Sequence, residues 1–209
     1  MARPPSGTDR KLKEAGRRLL QEGGLAGFSV RGACRLAGVN TGMFHYYFGS
    51  KEEFLEAVLK EVYADFMQDF KAGVESAGSP RERLKAALIE VGKFALGLRR
   101  TAPLLFADMA YGNAEAFDFF RNNFTEHVRQ VAVLAAGSRP ASRLKAHSLP
   151  FMIGALLPVM VFPVLMAGLL ERNGVRSLAG VKSGELLREF FSDEGIAERA
   201  EIALRGIGL

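Results

Sequence analysis

Two capping boxes constrain this chain more than any other feature. Ser50-Lys51-Glu52-Glu53 and Ser79-Pro80-Arg81-Glu82 each offer a hydroxyl to the third amide of a helix and a glutamate that can reach back to the serine amide. Each opens a segment with helix-period apolar residues: Phe54, Leu55, Val58, Val62, Phe66 and Phe70 to about residue 72, then Leu84, Leu88, Val91, Ala95 and Leu98. Pro80 suits a first helical position, and Gly73, Gly78 and Ser79 read as the loop between the two. No sustained alternating run bounded by hairpin signals appears elsewhere, so the expected fold is all-α.

The remaining segments follow the same logic. Thr8 or Ser6 can cap a first helix with Leu12, Ala15, Leu19 and Leu20 on one face, which Gly23-Gly24 ends. Ser29 caps a short helix with Val30, Ala33, Cys34 and Ala37 inward; Gly38 breaks it, and another starts at Asn40 or Thr41. Later helices are expected from Pro103 to Met109, Asn113 to Ala136, Pro140 to Leu170, a short one ending near Phe191, and one from Asp193, capped by Ser192, to about Arg205. A glycine-containing loop is expected near residues 173–184.

A chain of 209 residues with 48% hydrophobic and 24% charged residues falls outside the disordered and disulfide-rich classes. Its single cysteine, Cys34, excludes an internal disulfide and reads as a small buried hydrophobe, since a redox sensor needs an exposed thiolate. Met1 to Gly7 run into a charged segment without the apolar core of a secretory signal, so the expected compartment is the cytoplasm.

Charge is unevenly placed. Residues 1–51 carry nine Lys/Arg against three acids, a net of +6, whereas the whole chain is +5. A basic quarter joined to a nearly neutral remainder suggests that the small part meets a polyanion. The expected division is therefore between residues 1–51, which meet the polyanion, and residues 52–209, which do something else.

The informative stretch is Ser29 to Lys51. Small Ala33, Cys34 and Ala37 let two helix axes approach, Gly38 supplies a positive φ, and Val39 and Phe44 anchor both sides of the turn. This is helix-turn-helix geometry, with the second helix, about residues 40–47, entering the major groove by its N-terminal residues. Asn40, Thr41, Gly42 and Met43 are then placed to read base edges, with Met43 offering an apolar contact to a thymine methyl. His45, Tyr46 and Tyr47 carry polar tips suited to phosphate oxygens. Lys51 adds its charge to the positive end of the following helix, and Arg31 can reach a phosphate or a base edge.

Gly23-Gly24, then Phe28 to Arg31, then the unbroken Ala37 to Leu55 closely resemble the N-terminal DNA-binding region of the tetracycline-repressor (TetR) family of transcription regulators, over about residues 8–58. The resemblance implies an all-helical homodimer whose variable C-terminal domain commonly binds a small molecule. It also implies that Ser29, Arg31, Thr41, Met43, His45, Tyr46, Tyr47 and Lys51 hold positions that commonly touch DNA. His45 departs from the usual tyrosine, and Gly49 from a frequent proline.

Beyond the resemblance the chain carries no motif. Lys145 and Glu171 bracket 25 residues without Asp, Glu, Lys or Arg, punctuated by Pro150, Pro158 and Pro163. Such a run is long enough to cross a bilayer, which makes a membrane-associated helical protein the alternative reading. A buried subunit seam requires the same composition, and the prolines and the resemblance favour the seam, so no membrane partner is expected. The expected interface residues are Phe151, Ile153, Leu157 and Val161, with Ile196, Ala200 and Leu204 from the final helix. Isologous contact would give a two-fold homodimer on a palindromic operator.

Phe94, Leu98, Phe106, Met109, Phe117, Phe120 and Phe124 gather aromatic and thioether surface in the middle helices. Apolar residues at helical spacing usually form an ordinary core, and the other reading is that they line a cavity for an apolar or aromatic effector that releases a repressor from DNA. Asp108, His127 and His147 read as surface or capping groups. Nucleophile elbow, zinc spacing and phosphate loop are all lacking in the sequence, so neither an enzyme nor a cofactor or metal is expected.

Overall fold

The computed structural model describes residues 7–25, 27–138 and 148–209. Its elements run α1 (Thr8–Gly23), α2 (Val30–Ala37), α3 (Thr41–Phe48), α4 (Lys51–Ser76), α5 (Pro80–Gly97), α6 (Ala102–Ala110), α7 (Ala114–Gly137) and α8 (Leu149–Arg172). A short hairpin, β1 (Ser177–Leu178) and β2 (Val181–Lys182), precedes α9 (Ser183–Phe191) and α10 (Asp193–Gly206). The fold is all-α, as expected.

Both capping boxes form. Glu53 N donates to Ser50 Oγ at 3.1 Å while Ser50 N donates to Glu53 Oε2 at 3.0 Å. Ser79 and Glu82 repeat the arrangement at the start of α5, with Pro80 in its first turn. Ser29 accepts from Gly32 N at 3.1 Å, and Ser192 from Gly195 N at 3.0 Å.

Four boundaries differ from the sequence reading. Gly7, at φ 71°, precedes α1 without a side-chain cap, so Thr8 is the first helical residue; Ser6 lies outside the described residues. Helix α4 passes through Gly73 to Ser76, because a glycine ends a helix only where the backbone turns left-handed. Helix α8 starts at Leu149, and the expected start at Pro140 falls outside the described residues. The segment read as a loop near 173–184 contains the hairpin, pairing Ser177 with Lys182 and Leu178 with Val181. Its turn holds Ala179 and Gly180 at φ 50° and 82°, the two positive values of a tight hairpin turn. Alanine there gives no turn signal.

The chain divides into two compact units, one of residues 1–64 with 104–123 and one of residues 65–103 with 124–209. The first is built on rings. Phe44 and Phe54 are fully buried, their centroids 5.0 Å apart, and Phe48 and Phe28 lie 4.8 and 5.5 Å from Phe54. Gly16 makes this possible: a Cβ on α1 at that point would come within 2.6 Å of the Phe54 ring. Leu12, Leu20, Ala33, Cys34 and Val58 complete the core. Burial pushes the Cys34 thiol up from its ordinary pKa, as the expected inert cysteine requires.

In the second unit α8 packs against α5 and α10, burying Met152, Leu156, Met160 and Val164 with Leu84, Leu88, Ile196, Ala200 and Leu204. Pro163 has no N–H, so the Val159 carbonyl loses its partner one turn back. Arg199 of α10 supplies the replacement, its Nη1 donating to Val159 O at 3.3 Å and Met160 O at 2.9 Å. Arg199 as a residue is 5% exposed; its guanidinium sits 5.4 Å from the Phe191 ring centroid and is pulled down from its ordinary pKa by desolvation. Near the surface, Glu201 receives Arg81, Lys85 and Arg205, which hold its carboxyl down at about 2.

Candidate nucleic-acid interface

The turn between α2 and α3 begins where Gly38 takes φ 69° and Val39 N donates to Cys34 O at 3.0 Å. Asn40 then caps α3, its Oδ1 accepting from Met43 N at 2.9 Å. Helix α3 has one buried residue, Phe44, which inserts among the rings of the core. Everything around it is left outward: Thr41, Gly42, His45 and Tyr46 are exposed, and Met43 and Tyr47 half-buried. Tyr46, at 70% exposure, stands edge-on to Tyr47 at 5.2 Å. The presented surface is therefore the N-terminal turn of α3 followed by aromatic hydroxyls.

Two of the predicted readers have specific local duties. Asn40 commits its carboxamide oxygen to the cap. His45 donates Nδ1–H to Gly49 O at 2.7 Å, which leaves Nε2 as its outward nitrogen. Gly49 at φ 67° allows this closure, and a Cβ there would run into the Glu53 carboxylate.

Around α3 the cations differ in how they are held. Lys13 and Arg17 both reach Glu61, Arg18 pairs with Glu22 at 2.9 Å, and Lys51 pairs with Glu115 at 3.3 Å. Among the described residues, Arg31 and Arg35 form no ion pair, and both are exposed one turn apart on α2. Arg35 was missed in the sequence, although its spacing from Arg31 places it on the same face.

The candidate effector residues do not form a single group. Phe106 and Phe120 lie in the first unit, with ring centroids 6.1 Å apart. Met109 there is half-buried, and Phe117 is 55% exposed. Phe94 and Phe124 lie in the second unit at 6.1 Å, beside Phe66, which stacks on Phe94 at 4.1 Å. Leu98 is the half-buried C-cap of α5. His127, read as a surface or capping group, is instead buried edge-on to Phe66 at 5.3 Å, and desolvation lowers its pKa from 6.5 to about 4. Asp108 is half-buried, and His147 lies outside the described residues.

The expected interface set divides as well. Phe151 is exposed, and Ile153, Leu157 and Val161 are half-buried on α8. Ile196, Ala200 and Leu204 are a correction: all three are buried in the core of their own chain and present nothing to a second copy. Helix period alone cannot say which of two apolar stripes faces inward. The outward residues are Ile202 on α10 and Phe162 and Leu169 on α8.

A basic, aromatic helix-turn-helix on an otherwise helical chain defines a class of DNA-binding proteins. Residues 12–58 match the sequence profile of the bacterial regulatory proteins of the tetR family. The HTH-type transcriptional regulator BetI of Rhizobium meliloti is 32% identical over 79 residues, 38% of this chain. The chain spans 39% of that relative's length. A TetR transcription regulator from Haloarcula marismortui superposes with a TM-score of 0.66 at 19% identity, covering 97% of this chain and 99% of its own. FadR of Bacillus subtilis, solved in complex with stearoyl-CoA, gives 0.67 at 14% identity over 91% and 96%. Over residues 12–58 the chain is thus similar to tetR-family regulators, and the curated relatives it matches there are transcription regulators and not enzymes.

Proposed function

We propose that this chain is a sequence-specific transcription regulator, acting as a homodimer on a palindromic operator and as a repressor that an apolar or aromatic effector releases. One observation carries the DNA reading: the N-terminal turn of α3 is exposed while Phe44 behind it is locked in the core. Thr41, Gly42 and Met43 then read base edges. Ser29, Arg31, Tyr46, Tyr47 and Lys51 set register on phosphates, with Arg35 beside Arg31 and Asn40 acting as the cap that aims the turn. Residues 1–51 are the DNA-contacting part, and residues 52–209 carry the effector and pairing roles.

Pairing is supported by the uncharged outer face of α8, where Phe151, Phe162 and Leu169 are exposed, together with Ile202 of α10. A two-fold pair on a palindromic operator needs its reading helices about 34 Å apart, or a multiple of it, along one face of DNA. The effector reading draws on the rings of Phe66, Phe94 and Phe124, and on the stearoyl-CoA complex of the FadR neighbour. The same α8 is, among the described residues, the one helix long and apolar enough to cross a membrane. Its buried stripe against α5 and α10, and its tie to Arg199, support a protein seam instead.

Operator selection from random DNA, followed by binding across a salt series, tests the proposal. Lys51→Ala is expected to weaken every sequence alike and to flatten the salt dependence by less than about one ion. Thr41→Ala is expected to change base preference. Equal, sequence-independent losses for both would refute the assignment of roles.

A further inference from the structure

Within the first unit, Lys51 opens α4, where the positive end of the helix makes a free ammonium unfavourable. Lys51 therefore needs an anion close by. Glu115 provides one, its Oε1 3.3 Å from Lys51 Nζ. Glu115 is itself held in the first turn of α7, where the helix end favours a carboxylate and where Asn113 Oδ1 accepts from Ala116 N at 3.1 Å. The acid is thus placed by its own helix whether or not Lys51 is near. With side-chain exposures of 29% and 45%, the pair stays open to solvent and to a third charge.

We infer that Glu115 is an intramolecular competitor of DNA phosphate for Lys51, and so sets how tightly the basic head holds any duplex. This rests on the reading of Lys51 as a phosphate contact. When DNA arrives, the ammonium exchanges one anion for another, and Glu115 returns to solvent and takes up a cation from the buffer. That uptake offsets part of the counterion release that drives association. Glu61 restrains Lys13 and Arg17 in a similar way, whereas Arg31 and Arg35 have no ion-pair partner among the described residues. The head therefore keeps some cations in reserve and presents others directly.

The test uses the full chain and a fluorescein-labelled random-sequence duplex, since a phosphate contact is independent of sequence, with anisotropy read across a salt series. Glu115→Gln is expected to tighten binding about two- to fivefold, the range of a half-exposed ion pair. It should also steepen the salt dependence by up to about one ion. In a Lys51→Ala background the same substitution should change neither. A gain that persists without Lys51 overturns the inference, because the acid would then act through its charge alone. Absence of a gain in the parent chain overturns it too. If Lys51→Ala by itself leaves binding unchanged, the phosphate reading of Lys51 has failed, and the inference falls with it for that separate reason.

Discussion

The two compact units both have apolar cores and differ in the polar groups they bury. The first buries rings and directs outward Thr41, Tyr46 and the arginines of α2. The second buries a guanidinium and an imidazole, Arg199 and His127, while leaving Phe151, Phe162 and Leu169 in solvent. A surface that departs from the ordinary polar exterior reports the chemistry of what it meets. On this reading, the first unit faces a polyanion and the second faces an apolar surface like its own.

Three substitutions would break or sharpen this contrast. The largest effect belongs to Phe44→Ala, which opens the ring core of the first unit and is expected to cost about 3–5 kcal/mol in chemical denaturation. A loss under about 1 kcal/mol would mean that α3 is not anchored by this ring. Next comes acid. His127 titrates at about 4 when folded and near 6.5 when free, so the unfolded chain takes up its proton first as pH falls. Stability contributed by the neutral ring is complete above about 6.5 and is lost on descent to about 4, by about 3 kcal/mol in all. Denaturation at both ends of that window should show the loss in the parent chain and its absence in His127→Phe. The smallest effect is on association: Phe162→Asp should weaken pairing by about 2 kcal/mol or more, read by sedimentation equilibrium. Unchanged association would locate the pairing surface away from the outer face of α8.

What was legible in the sequence follows from how local each signal is. Ser50 and Ser79 act over three residues, so the starts of α4 and α5 were visible, as was the reading turn between Gly38 and Asn40. Gly16 carries no local signal, since its reason lies in Phe54 on another helix. His127 looked like a surface group because the rings that bury it come from Phe66 and Phe94, far away in sequence. Ile196, Ala200 and Leu204 showed the right period but not the direction it faces. The duty of His45 depended on a single carbonyl, that of Gly49.

The bond that mends α8 at Pro163 also imposes an order in time. Arg199 lies 40 positions after Val159, so a ribosome delivers it about two to eight seconds after the carbonyl it must reach. During that interval the reading head is already complete, while the seam still lacks its internal brace. If copies pair through α8 as proposed, a nascent copy would fold its first helices well before its pairing face is braced, which would favour pairing between finished chains.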